Sequence, residues 1–344
     1  MPDYTLARTG TQCRSPDFRA VTPPNLPILV DSHNGMDQFA IGVDLGGTNL
    51  RAAAVSTSGQ MIEKVAASTD LTQGAERVVS DICECIEAVR DHQSHARLVG
   101  VGIGVPGFIR IAEGFIVGSH NLPPLNNYPI RDAIEQRLGT PVVLENDANA
   151  AALGEKWIGA GRDVDDLVLL TLGTGIGGGI ISHGRVLHGF VGMAGELGHL
   201  TVVPNGNPCG CGNMGCLEKH ASATAIESMA NLLALGDHLS ARDVYDLAVQ
   251  GEQRAIRIFE SMGQALGIAL ATLINIFNYP LYLMSGGVLA AWDFFYPALE
   301  KEVRWRSFSY RNTETRIGKA ALGNEAGLYG AAYLPIQAQQ SQSS

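Results

Sequence analysis

Cys209, Cys211 and Cys216 fall within eight residues, and His199 stands ten residues before the first of them. Three thiolates and one imidazole fill a tetrahedron, which matches a closed Cys3His zinc site; with no coordination position left for water, such an ion is structural. The plainer reading is three unrelated buried thiols and a surface histidine. Two acids flank the cluster: Glu196, three residues before His199, and Glu218, two after Cys216. An ion would hold both carboxylates still through the ligands beside them. Acceptors placed so rigidly suit a ligand rich in hydroxyls, such as a sugar; otherwise they are solvated glutamates. Cys13, Cys83 and Cys85 lie elsewhere, and the last two fit the apolar face of a helix as ordinary core residues.

A second group of residues suits phosphate. Asp44-Leu45-Gly46-Gly47-Thr48 follows an apolar run directly. Successive glycines let backbone N–H groups point at one anion, and a threonine hydroxyl adds a bond. Asp44 at the strand end suits a hydrated Mg2+, which keeps most of its waters and needs one or two carboxylates. A glycine-rich hairpin turn is the simpler alternative. The same arrangement returns in Thr171-Leu172-Gly173-Thr174-Gly175-Ile176-Gly177-Gly178-Gly179, again after a buried run. The repetition predicts two lobes gripping one polyphosphate from opposite sides.

Other phosphate motifs fail. The P-loop ends Gly-Lys-Ser/Thr, whereas Gly318-Lys319 is followed by Ala320. The dinucleotide spacing occurs at Gly102, Gly104 and Gly107 and at Gly173, Gly175 and Gly178. After Gly107 the chain alternates like a hairpin instead of opening a helix, and no acid stands where a ribose partner belongs.

Glu145-Asn146-Asp147-Ala148-Asn149 joins a strand to an alanine-rich helix. Asp147 or Asn146 there is an N-cap for the first free amides. The helix N-terminus also favours an ionised carboxylate, and an ionised aspartate beside a hydroxyl is a competent proton acceptor for phosphoryl transfer.

These groups need a scaffold, and composition bounds it. The chain has 344 residues, 46% hydrophobic and 17% charged, enough for about two domains with real cores and incompatible with disorder. Lys and Arg number 24 against 34 Asp and Glu, a net charge of −10, which excludes a nucleic-acid binder relying on a diffuse basic surface. No apolar run is long enough to span a membrane, and the first 37 residues lack a signal pattern, so a cytoplasmic protein is expected. Those residues are rich in proline and read as a mobile arm; residues 338–344 are polar and read as a disordered tail. Between them strand-like and helix-like segments alternate, the pattern of an α/β protein. Strands are predicted at Phe39–Val43, Arg51–Val55, Leu98–Val105, Val142–Glu145, Leu167–Leu172 and Leu281–Met284. Helices are predicted at Ala75–His92, Ala148–Lys156, Thr224–Leu235 and Ala255–Phe277.

At its motifs the sequence resembles the ROK family (repressors, open reading frames and sugar kinases), over about Phe39 to Leu334. The resemblance rests on Asp44-Leu-Gly-Gly-Thr, Glu145-Asn-Asp, Gly173-Thr-Gly-Ile-Gly-Gly-Gly, Glu196-Leu-Gly-His199 and Cys209-Gly-Cys-Gly-Asn-Met-Gly-Cys-Leu-Glu218. It implies a two-lobed actin/hexokinase-like (ribonuclease H-like) ATPase fold with an interlobe cleft. The smaller lobe would take residues 38–147 and about 324–337, the larger, with the zinc site, residues 148–323. It implies ATP, Mg2+ and a structural Zn2+ held by His199, Cys209, Cys211 and Cys216. The expected reaction moves the ATP γ-phosphoryl to a hexose 6-hydroxyl, most often of glucose; N-acetylhexosamine or fructose kinases of the same family are the alternative. Asp147 resembles the catalytic base, and Gly107, Asn121, Asn146, Glu196, His199 and Glu218 the sugar contacts, with His199 using one ring nitrogen on zinc and the other near a sugar hydroxyl. Asp44, Gly46, Gly47, Thr48, Gly173, Thr174, Gly175 and Gly287 would line the nucleotide cleft. The family also implies a homodimer or homotetramer. Some relatives are sugar-responsive repressors with an N-terminal helix-turn-helix. Here the prolines of residues 1–37, and only Arg8, Arg14 and Arg19 against four aspartates, argue against two packed DNA-binding helices.

Overall fold

The computed structural model describes residues 38–93 and 95–342. The expected arm over residues 1–37 lies outside them.

In chain order the elements are β1 (Gln38–Leu45), β2 (Asn49–Ser56), β3 (Met61–Ser68), α1 (Ala75–Asp91), β4 (Arg97–Val105), β5 (Phe108–Arg110), β6 (Phe115–Gly118), α2 (Ile130–Leu138), β7 (Val142–Asn146) and α3 (Asp147–Trp157). There follow β8 (Leu167–Leu172), β9 (Ile176–Ser182), β10 (Arg185–Val186), α4 (Glu218–Ala221), α5 (Ala223–Leu232), α6 (Ala241–Val249), α7 (Gln253–Phe277), β11 (Leu281–Ser285), α8 (Trp292–Arg306), β12 (Arg316–Lys319) and α9 (Ala326–Gln342).

Two five-stranded sheets share one plan. The first runs β3-β2-β1-β4-β7 and the second β10-β9-β8-β11-β12. In each, three strands form antiparallel hairpins and two more add in parallel. The central strands β1, β4, β8 and β11 are almost continuously apolar because parallel neighbours and covering helices bury both faces. Edge strand β3 instead alternates exposed with half-buried residues at its start. Helix α1 turns Val78, Val79, Ile82, Ile86 and Val89 inward, with Cys83 and Cys85 buried beside them as core residues.

Each sheet's last strand leads to a helix that covers the other sheet. Helix α3 follows β7 and packs on β8 and β9; α9 follows β12 and packs on β1 and β4. The two helices cross tightly. A methyl at Gly330 would overlap the Ala150 carbonyl, and one at Gly154 would overlap that of Ala326, so only glycine permits this approach. Beside the crossing Trp157 stacks on Tyr333 with ring centroids 4.7 Å apart. The buried Glu155 carboxylate accepts the amides of Ala160, Ala321 and Leu322 at 2.8, 3.1 and 2.8 Å, pinning the end of α3 to the segment before α9.

The expected disordered tail is corrected in part: α9 continues through Gln342. The Gln337 amide donates to the Gly184 carbonyl at 2.9 Å and Arg185 donates to Ser341 Oγ at 3.0 Å, so the polar end is held against the β9–β10 turn. Residues 343–344 lie outside the described residues. Helix α7 is long and apolar enough to cross a membrane, but 67% of its most apolar window is buried within the protein.

Candidate active site

The junction between β7 and α3 positions the aspartate. Asn146, in extended conformation, caps the helix by accepting the amides of Ala148 at 2.9 Å and Asn149 at 3.2 Å. That leaves Asp147 as the first helical residue, its Oδ1 accepting the Ala148 amide at 2.9 Å. Its side chain opens into a cavity of about 70 Å³ lined by Gly107, Asn146, Asp147, Gly177, Gly178 and Glu196, among others. Asp147 is exposed to solvent through the cavity, although protein atoms crowd around its carboxyl. This desolvation pushes its carboxyl above the usual aspartate range; the Ala148 amide opposes the shift, and the charges of Asp44 and Glu196 add to it. Asp147 thus stands in the field of two other carboxylates, which a cation bound beside it would offset.

Asp44, the penultimate residue of β1, lies directly opposite Arg51 on β2, and the two form an ion pair. Arg51 also donates to the Asn324 carbonyl at 2.9 Å and lies 3.7 Å from Glu325, which Lys64 approaches to 3.0 Å. The turn between these strands is closed by the Gly46 amide on the Asn49 carbonyl at 2.7 Å, and Thr48 is exposed.

The second glycine loop is the equivalent β8–β9 turn. The start of α5 holds it: the Ala223 amide donates to the Gly173 carbonyl at 2.8 Å and Thr224 Oγ1 to that of Thr174 at 2.8 Å. Leu172, Gly173, Thr174 and Gly287 line one wall of a cavity of about 350 Å³ whose other walls include Ile226, Arg242, Tyr245 and Phe259. A mostly apolar hollow ending at a glycine turn suits a flat base with a phosphate chain.

The cysteine motif folds back onto the 3-10 turn at Leu197–His199. The ligand atoms of His199, Cys209, Cys211 and Cys216 lie within 4.8 Å of one another. Cys209 Sγ is 3.6 Å from His199 Nδ1, and Cys211 Sγ is 3.7 Å from Cys216 Sγ. A tetrahedral zinc, with bonds of about 2.3 Å to sulfur and 2.0 Å to nitrogen, sets its ligands roughly 3.5–3.8 Å apart. The cluster therefore fits zinc. Burial, with the neighbouring thiols, pushes Cys216 up to about 12, so a metal ion entering here displaces a proton. The other ring nitrogen, Nε2, lies 4.0 Å from Glu196 Oε2.

Among the expected sugar contacts, the structure brings Gly107, Asn146, Asp147 and Glu196 to one cavity, with His199 behind Glu196. Asn121 and Glu218 are not in that lining. Asn121 is exposed beside Gly47. Glu218 turns to the second glycine loop and accepts the Ile176 amide at 3.0 Å. Gly107 has φ 115° and packs against Gly118 and Ser119, so the β5–β6 hairpin itself requires glycine there.

Three functional neighbours escaped the sequence reading. Arg51 was legible, since it stands two residues after the turn Gly46–Asn49 as Asp44 stands two before it, and a hairpin sets such residues opposite each other. The buried Glu145, whose Oε2 meets His188 Nε2 at 2.7 Å, and Glu155 have partners far along the chain and no local signal.

Twin sheets that exchange their last helices and present a glycine turn each define an α/β protein of the actin/hexokinase-like fold. The chain belongs to the ROK family, whose sequence profile matches residues 40–338. It is 38% identical to the glucokinase of Halalkalibacterium halodurans over 327 residues, covering 89% of this chain and 97% of that one. The ROK hexokinase of Thermus thermophilus superposes with a TM-score of 0.79 at 37% identity, over 87% of this chain and 99% of that one. A ROK glucokinase from Streptomyces griseus, solved with glucose and AMPPNP, gives 0.72 at 35% identity over 87% and 99%.

Proposed function

We propose that this protein is an ATP-dependent glucokinase that transfers the γ-phosphoryl of ATP to the 6-hydroxyl of glucose. The observation that carries the reading is Asp147, a partly desolvated carboxylate aimed into a cavity that it shares with Glu196 and with the strand following the second glycine turn. The relatives named above share this chain's fold over nearly their whole length.

In this reading Asp147 accepts the proton of the attacking hydroxyl as the bond to phosphorus forms in line with the leaving ADP oxygen. The raised carboxyl makes it a stronger base than a solvated aspartate. Asn146, Glu196, His199 Nε2 and Gly107 orient the sugar. Closure of the two lobes, residues 38–147 with 324–337 against 148–323, would add Asn121 and Glu218 and exclude water. The turn at Gly46, Gly47 and Thr48 and that at Gly173, Thr174 and Gly175 hold the phosphates from either side, with the adenosine end along Gly287. Mg2+, held through water by Asp44, would neutralise phosphate charge. A structural zinc on His199, Cys209, Cys211 and Cys216 would fix the frame of Glu196. Dependence on ATP, an intracellular metabolite, supports a cytoplasmic location.

The test is a coupled assay of purified protein with ATP and Mg2+ against glucose, mannose, fructose, N-acetylglucosamine and N-acetylmannosamine. Glucose is expected to show the highest kcat/KM. A preference for an N-acetylhexosamine or fructose overturns the substrate, and phosphorylation of none overturns the reading.

A further inference from the structure

The segment from His188 to Glu196 forms one wall of the active-site cavity, contributing Gly192, Ala194, Gly195 and Glu196. Its own backbone does little to hold it. Gly189, Gly192 and Gly195 have φ of 69°, 84° and 97°, and Phe190, Val191 and Met193 between them point into solvent. Such a loop loses much conformational entropy when ordered, so its pose depends on its anchors. At the root, the Leu187 amide donates to the Ile180 carbonyl at 2.8 Å, and the Ala194 amide closes the loop on the His188 carbonyl at 3.1 Å.

The remaining anchor is a side chain. His188 Nε2 meets Glu145 Oε2 at 2.7 Å. Glu145 is 1% exposed, and its other oxygen accepts the Asn146 amide at 2.9 Å and Asn149 Nδ2 at 3.1 Å. One carboxylate therefore touches the residue before Asp147, the first turn of α3 and the root of the loop that carries Glu196. Asn149, also buried, leaves its Oδ1 without a partner and turned towards Gly195.

We propose that His188 is a positioning residue: paired with Glu145, it ties the loop bearing Glu196 to the helix start bearing Asp147, and so sets the affinity for the sugar. The proposal rests on the reading of the cavity as a sugar site. The pairing is strongest with His188 protonated. Its hydrogen bond to Glu145 raises the imidazole above the usual histidine range, against the opposing effect of burial. Glu145 on β7 is the charge that faces it. Of the other charged groups nearby, Lys156 of α3 is engaged by Asp165 at 3.2 Å and Arg185 of β10 by Ser341 at 3.0 Å, while Asp147 and Glu196 face the cavity. The clasp is therefore complete below the ordinary histidine midpoint and is lost as pH rises through the raised one.

The test compares wild type, His188→Ala, His188→Arg and Glu145→Gln in steady-state kinetics with glucose and ATP across the neutral and alkaline range. Loss of a charge-assisted bond predicts a rise in glucose KM of about tenfold in His188→Ala, with ATP KM and kcat changed less than about threefold. His188→Arg, which keeps the cation, restores the glucose KM and removes its rise with pH. A glucose KM unchanged in His188→Ala, or a parallel loss in both substrates and kcat, overturns the proposal. Histidine titration by NMR supplies a readout apart from activity: Glu145→Gln is expected to lower the His188 midpoint, and an unmoved midpoint overturns the pair even where the kinase reading stands. A wild type with that pair intact but no hexose phosphorylation overturns the functional reading, and with it the positioning role.

Discussion

Replacing Asp147 with asparagine separates chemistry from architecture at the centre of the site. The substitution is nearly isosteric, an amide oxygen still accepts the Ala148 N–H, and the Asn146 cap is untouched, so α3 keeps its start. The lost function is proton acceptance. General-base catalysis contributes about 10²–10⁴ in rate, roughly 3–5 kcal/mol of barrier, so kcat is expected to fall at least about a hundredfold with glucose KM little changed. Stability moves the other way. The folded-state carboxyl lies above its unfolded value because of burial and the nearby charges of Asp44 and Glu196. The ionised form therefore costs stability above the raised midpoint, and the cost vanishes below the unfolded one. Asparagine carries no such charge, so at neutral pH the variant is expected to melt at or above the wild-type temperature. The wild-type kcat should fall in acid with a limb above the ordinary aspartate value of about 3.9, and whatever activity the variant keeps should lack that limb. Coupled assays across pH with thermal melts decide it. Turnover within about threefold of wild type, or activity lost only alongside stability, would refute the argument.

Other outcomes follow from the same geometry. Chelation that removes zinc should raise the glucose KM more than the ATP KM and lower the melting temperature, checked by metal analysis at one zinc per chain; unchanged sugar kinetics in zinc-free protein would contradict this. Gly330→Ala should cost roughly 1–3 kcal/mol in urea denaturation, because its methyl meets the Ala150 carbonyl at a helix crossing with no room to relax. Glu155→Ala leaves the amides of Ala160, Ala321 and Leu322 without their buried acceptor, at roughly 1–3 kcal/mol for each one that water does not reach. A denaturation midpoint equal to wild type would show that water replaces the carboxylate.

Much of the framework was legible because its causes are local. The runs Phe39–Val43 and Leu167–Leu172 lie in β1 and β8, and the apolar spacing from Ala75 describes α1 to within a residue. The hairpin after Gly107 is present as β5 and β6. Less visible were β3, whose exposed edge weakens its pattern, and the far end of α9, whose glutamines and Ser341 lack an apolar period and are held by hydrogen bonds from across the fold.

By itself the sequence determined the chemical groups and their immediate settings: two glycine turns after apolar strands, an aspartate at a helix start capped by itself or by Asn146, and a cysteine cluster. Each depends on hydrogen bonds or spacings spanning a few residues, which the order of amino acids dictates directly. Only the tertiary structure decided how these pieces meet. The exchange of α3 and α9 between sheets, the turn of Glu218 towards Ile176 and the clasp between Glu145 and His188 join residues dozens to hundreds of positions apart. Such contacts form only where whole sheets bury their faces against the crossing helices, so their energy belongs to the assembled core and leaves no periodic mark on the chain.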